Sequence, residues 1–175
     1  MGYQAERGDR LRLVVSDTGP LLHLGEADAL TLLSWVGEVS IPTAVDREMN
    51  RQNQFWQNQK PTWIRGRALT DSHKADAEAW EQAGLLGSGE AEAIALARQV
   101  RADWLLTDDA AARLFAQSLG LEVHGSLGIV LWSAAVGRLN RADTEATLER
   151  LAQSSLWISS RVLTEAKAAL SRLFP

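Results

Sequence analysis

Short apolar runs alternate with amphipathic segments along most of the chain. Leu11 to Ser16, Val39 to Ile41, Trp104 to Thr107 and Glu122 to His124 are bounded by turn-forming residues and predict four short strands. Leu21 to Leu24 and Leu30 to Val36 predict helical segments flanking Gly25. Pro42 ends the second strand, and Thr43 is then expected to cap a helix running to about Asn50. From there to about Thr70 the pattern is polar and aperiodic and predicts irregular chain. Ser72 is a candidate cap for a helix over Lys74 to Gln82, and Ser88 or Gly89 for an Ala-rich helix from Glu90 to about Val100. A helix over Ala110 to Leu119 stops at Gly120. From Leu127 onward the pattern is helical, with segments near Leu127 to Val136, Thr144 to Gln153 and Arg161 to Leu173. Strands alternating with helices in this way predict an α/β fold, a parallel sheet covered on both faces.

Composition narrows the class of protein. At 175 residues, 46% hydrophobic and 23% charged, the chain fits one domain with a sizeable core. It contains no cysteine, which excludes a disulfide framework and a thiolate zinc site. The first twelve residues, MGYQAERGDRLR, lack the apolar centre of a signal peptide, and no run reaches the roughly 18 apolar residues of a membrane span. A cytoplasmic protein without a membrane partner is expected. The net charge of −4 argues against retention on nucleic acid by bulk positive charge, although acids gathered around a metal would give the same sum.

The placement of those acids is more informative. Asp17 follows the first strand, Glu48 lies in the helix after the second, Glu90 and Glu92 open the Ala-rich helix, and Asp108 and Asp109 follow the third strand. In an open parallel sheet the carboxyl ends of strands and the amino ends of the following helices share one rim, where ligands bind. Carboxylates gathered there repel one another unless some are protonated or a cation compensates them. Mg²⁺ and Mn²⁺ favour oxygen ligands and the phosphate of a substrate, and they support phosphodiester hydrolysis by activating water. Taken singly, each acid reads more readily as a helix cap or dipole partner than as a ligand, and the spacing of all of them leaves both readings open.

Other features compete for attention. GLLGSGE does not follow a strand in dinucleotide-binding order and has no P-loop lysine, and SDTG lacks the second aspartate two residues on that phosphatase chemistry would use. His23 and His124 fall at structural positions, and His73 is expected to be exposed. Between Met49 and Thr70 there is no acid, while Arg51, Lys60, Arg65 and Arg67 alternate with Phe55, Trp56 and Trp63. Such a segment suits RNA, with cations on phosphates and rings on bases, or equally packing onto the domain or reception of a partner peptide. Trp35, Trp80, Trp104, Trp132 and Trp157 read as core or oligomer contacts.

Four stretches in order, VVSDTGPLLHL, VSIPTAVDREM, GSGEAEAIALA and WLLTDDAAARLFAQSLGLEVHGSLGIVL, resemble the PIN-domain family, in its bacterial and archaeal branch of toxin-like ribonucleases. The resemblance covers Leu13 to about Leu131, and the helical tail is similar to that branch as well. It implies a Rossmann-like three-layer α/β/α fold, with a nuclease domain over 11–131 and a helical C-terminal extension of the same domain over 132–175. It also implies an acidic Mg²⁺ or Mn²⁺ pocket and an endoribonuclease of single-stranded RNA leaving a 5′-phosphate and a 3′-hydroxyl. A small antitoxin partner and a homo-oligomeric state are further implications. The alternative is a PIN-like regulator that binds nucleic acid or protein without turnover. Asp17 and Glu48 match the family's first two acids. Either Glu90 or Glu92 matches the third, with Glu92 carried as the metal ligand, and two residues apart on a helix diverge by about 200°. The usual family spacing favours Asp109 as the fourth, with Asp108 nearer the strand. Thr18 and Thr107 correspond to hydroxyls that orient carboxylates.

Overall fold

The computed structural model describes residues 11–175, so most of the charged leader read above, residues 1–10, lies outside the described residues. Five strands form one all-parallel sheet, β1 (Leu13–Ser16), β2 (Glu38–Pro42), β3 (Ile64–Arg67), β4 (Trp104–Leu106) and β5 (Val123–His124), in the spatial order β3-β2-β1-β4-β5. β1 is central. Val14 and Val15 register against Val39 and Ser40 on one side and Trp104 and Leu105 on the other, and its near-continuous apolar run reflects burial on both faces.

The helices are α1 (Thr18–Glu26), α2 (Leu33–Val36), α3 (Thr43–Gln52), α4 (Trp56–Gln59), α5 (Asp71–Gln82), α6 (Ser88–Gln99), α7 (Ala110–Ser118), α8 (Ser126–Ala135), α9 (Arg141–Gln153) and α10 (Ser160–Leu173). α6 lies across β1, β2 and β4 with α5 beside it, and its alanines and Leu96 are buried because the helix is covered almost all round. α1, α8, α9 and α10 pack together as the other layer, and Leu148, Leu151 and Leu170 of the C-terminal helices join the same hydrophobic core as the sheet. α3 touches both α1 and α6 and closes the rim between the layers. Among the described residues no helix is long and apolar enough to cross a membrane.

One expectation from the sequence needs correction. The stretch after Asn50 is not irregular: it holds α4 and the edge strand β3. β3 reads IRGR, whose single buried apolar residue, Ile64, is too weak a signal for a strand. Its charges suit a sheet edge, and Arg65 and Arg67 both reach Glu38 on β2, at 3.3 and 2.9 Å. Of the tryptophans read as core or oligomer contacts, Trp104 is buried, while Trp35 is 53% and Trp157 85% exposed and only the second alternative applies to them.

Candidate functional site

The strand order reverses between β1 and β4, and the chain leaves both strands with an acid. Asp17 donates its backbone N–H to Leu106 of β4, which fixes the first turn of α1 against the neighbouring strand. Its carboxylate is 5% exposed and accepts from Thr18 N–H at 2.7 Å and from the Thr107 hydroxyl at 3.0 Å. Burial pushes the Asp17 carboxyl up to about 7 in spite of those two hydrogen bonds, and repulsion from Glu90 and Glu48 adds to the rise.

Glu48 projects from the second turn of α3 and is held at both oxygens. One accepts from the Thr18 hydroxyl, the other from the Gly89 N–H of α6 at 2.9 Å. The approach requires a glycine, because a Cβ at position 89 would collide with the Glu48 carboxylate. The sequence presents Gly89 only as a candidate cap, and its role is legible only once α3 and α6 are seen to meet.

The two glutamates that open α6 part ways as helix geometry demands. Glu90 folds back to accept from Gly87 N–H at 2.8 Å and remains beside Asp109 and Glu48; burial first, then repulsion from those two acids, raises its pKa against that hydrogen bond. Glu92 turns toward α3, accepting from Ala44 N–H at 2.8 Å with Arg47 at 4.0 Å. Glu92 therefore caps a neighbouring helix and turns away from the other acids, whereas Glu90 remains among them. If Glu90 is the pocket acid, Glu90→Gln should lower cleavage by about 10-fold or more. Glu92→Gln, which keeps an acceptor for Ala44, should leave the rate within about threefold. Steady-state cleavage of labelled RNA compares them, and a larger loss from Glu92→Gln would reverse the assignment.

Asp108 and Asp109 separate equally well. Asp108 accepts from Ser126 N–H at 2.7 Å, from the Ser126 hydroxyl at 2.6 Å and from His23 Nδ1 at 2.7 Å, which ties the end of β4 to the start of α8 and to α1. Burial alone would raise its pKa, but the hydrogen bonds from His23 and Ser126 outweigh it and hold the carboxyl below the usual carboxylate range. Asp109 is exposed, caps α7 through one oxygen by accepting from Ala112 N–H at 2.7 Å, and lies beside Glu90. Thr107 accepts from Asp109 N–H at 3.2 Å while donating to Asp17, so one hydroxyl links two of the acids. Ser126 has no signal in the sequence beyond its place in GSLG.

Glu90 thus lies near Asp17, Glu48 and Asp109 at the rim, and Asp17 also feels the charge of Glu48. Among the described residues none of the four forms an ion pair with Lys, Arg or His. Every donor they present is a hard oxygen, and Asp17 carries an uncompensated, desolvated carboxyl, which is the arrangement a hard divalent cation satisfies. Among the described residues no group of three or more His, Asp or Glu side chains is placed to hold a metal ion as it stands. The donor set instead suits an ion that retains water, held by one or two carboxylates.

Of the alternatives the sequence leaves open for the basic segment, packing onto the domain accounts for most of its side chains. Trp56 is 3% exposed and donates its indole N–H to Asp46 at 2.7 Å, so it has no face for a base. Lys60 pairs with the same Asp46 at 3.2 Å, and Trp63 packs against the core. Arg65 and Arg67 are engaged with Glu38, whereas Arg51 and Phe55 are exposed. The segment is mainly a structural edge.

A family model described as PIN domain matches residues 13–172, which takes in the sheet, the acidic rim and the C-terminal helices. No curated protein matches the chain.

Proposed function

The chain belongs to the PIN-domain family, whose members are generally nucleases, and on that premise we propose that it is a Mg²⁺- or Mn²⁺-dependent endoribonuclease of single-stranded RNA. The observation that carries the proposal is the gathering of Asp17, Glu48 and Asp109 near Glu90, with Asp17 buried and its pKa raised to about 7, and no basic partner for these acids among the described residues. Asp17, Glu48, Glu90 and Asp109 are the residues that would hold the ion. When bound, such an ion supplies Lewis acidity at a phosphoryl oxygen and lowers the pKa of water.

The chain's own part is positioning. Thr107 fixes Asp17 and Asp109 relative to each other, and Thr18 with the Gly89 N–H fixes Glu48, so that carboxylates on four separate elements present oxygens without rotamer searching. Asp108, held by His23 and Ser126, keeps the turn that bears Asp109 from moving. No side chain is needed as nucleophile. Labelled single-stranded RNA incubated with Mg²⁺ or Mn²⁺ should be cut to products with a 5′-phosphate and a 3′-hydroxyl, and EDTA should stop the reaction. Cleavage that persists in EDTA would refute the proposal. The resemblance read in the sequence extends the proposal to a toxin with a small antitoxin partner, and co-purification with the product of a neighbouring small gene tests that part.

A further inference from the structure

Beside the acidic rim a groove of about 360 Å³ opens where β5 meets α8, at the lower end of the roughly 300–1,000 Å³ usual for ligand sites. Leu127, Leu156, Ile158 and Val162 give it apolar walls, Arg113 contributes a cation, and Trp157 stands on its edge. Three observations define what it fits. The loop between α9 and α10 is anchored, because Ser155 donates its N–H and hydroxyl to Glu26 of α1 at 2.6 and 2.9 Å. Leu156 and Ile158 on either side of Trp157 pack onto the core, while the indole between them is 85% exposed at the groove edge. Arg113 is held by two carbonyls, donating to Thr107 at 3.3 Å and Val123 at 3.5 Å, and no carboxylate forms an ion pair with it among the described residues. Asp108, next in the chain to the rim acid Asp109, also lines the groove, and Gly125 leaves no room for a Cβ between Asp108 and Arg113, each within 2.9 Å of that position.

We infer that this groove is a nucleotide subsite for a single-stranded RNA strand, in which a base stacks on Trp157 and an adjacent phosphate meets Arg113. The inference rests on the nuclease reading for the identity of the strand. An exposed aromatic ring beside a cation that forms no direct ion pair among the described residues is the combination that grips unpaired nucleotides without reading sequence. An apolar protein segment would gain nothing from the cation. The subsite would set which nucleotide, counted from the cut, is bound next to the acids.

The test is fluorescence anisotropy of a labelled short single-stranded oligoribonucleotide with the full chain in EDTA, where the strand is bound and not cut. Trp157→Ala should weaken binding about 10-fold or more, and Trp157→Phe should restore most of the loss. Arg113→Gln should reduce the slope of log Kd against log salt by about 0.7, the share of one phosphate on a single strand. Unchanged affinity in Trp157→Ala, or absence of binding by the unaltered chain, overturns the inference. So does a change of oligomeric state in Trp157→Ala at unchanged affinity, which would make the groove a protein interface. Cleavage with Mn²⁺ is scored in parallel to keep the two proposals apart. A chain that cuts RNA with Trp157 irrelevant loses only the subsite, whereas one that binds through Trp157 but never cuts loses only the nuclease reading.

Discussion

Asp17→Asn should abolish metal-dependent cleavage and at the same time make the metal-free protein more stable at pH 8. The two effects share one cause. Asp17 is buried at the rim with a carboxyl raised from the ordinary 3.8 to about 7, and at about 1.4 kcal/mol per pH unit that difference amounts to roughly 4 kcal/mol. Below pH 3.8 the folded and unfolded chains both hold the proton and no penalty exists. Between 3.8 and about 7 the folded state keeps a proton that the unfolded state has lost, so the metal-free protein loses stability as pH rises, and above about 7 the penalty is complete. The substitution removes the charge and keeps the contacts, because the amide's carbonyl can accept from Thr18 N–H and its NH₂ can donate to the Thr107 hydroxyl. At roughly 2–4 °C per kcal/mol for a chain of this size, Tm of the variant in EDTA at pH 8 should exceed that of the unaltered protein by on the order of 10 °C. The difference should shrink toward pH 4 and on addition of Mn²⁺, which stabilises only the protein that retains the carboxylate. Equal Tm values in EDTA at pH 8, or RNA cleavage by the variant, would show that Asp17 is not the buried centre of a metal site.

That trade of stability for a charged site explains why Asp17 stands out in the sequence. An aspartate directly after an apolar strand conflicts with the local environment, and such conflicts mark functional positions. The acids at the ends of β1 and β4, and the central strands themselves, are legible because apolar runs and turn residues are local signals. β3 is not, since an edge strand with one buried residue and two arginines has no period to detect. The sequence leaves alternatives open for both Trp56 and Trp157, and the structure puts one inside and the other outside. A tryptophan's surroundings are decided by which distant element covers it, Asp46 and the core in one case and nothing in the other. The choice between Glu90 and Glu92 depends on where α3 sits relative to α6, a tertiary fact that helix geometry can frame but not resolve.

The paired aspartates after β4 give the second large effect, and here stability and activity should part. Asp108→Ala leaves the Ser126 N–H, the Ser126 hydroxyl and His23 without their acceptor at a part-buried junction of three elements. Unmet donors of this kind cost about 1–3 kcal/mol each before relaxation or water offsets part of it, so a loss of roughly 3 kcal/mol or more is expected. Its pH dependence follows from the lowered pKa of Asp108. The carboxylate's contribution is present above the unfolded value of 3.8 and disappears as pH falls through the lower folded value, so the stability gap between the two proteins should narrow below about pH 4. Asp109→Ala removes one capping bond to Ala112 from an exposed position and should cost only about 1 kcal/mol. It also removes an acid that faces Glu90, and cleavage at saturating Mn²⁺ should fall about 100-fold. Urea unfolding and single-turnover cleavage on both variants separate the roles. A stable, inactive Asp108→Ala together with an unstable, active Asp109→Ala would exchange the two assignments, and with them the direction in which the rim presents its fourth carboxylate.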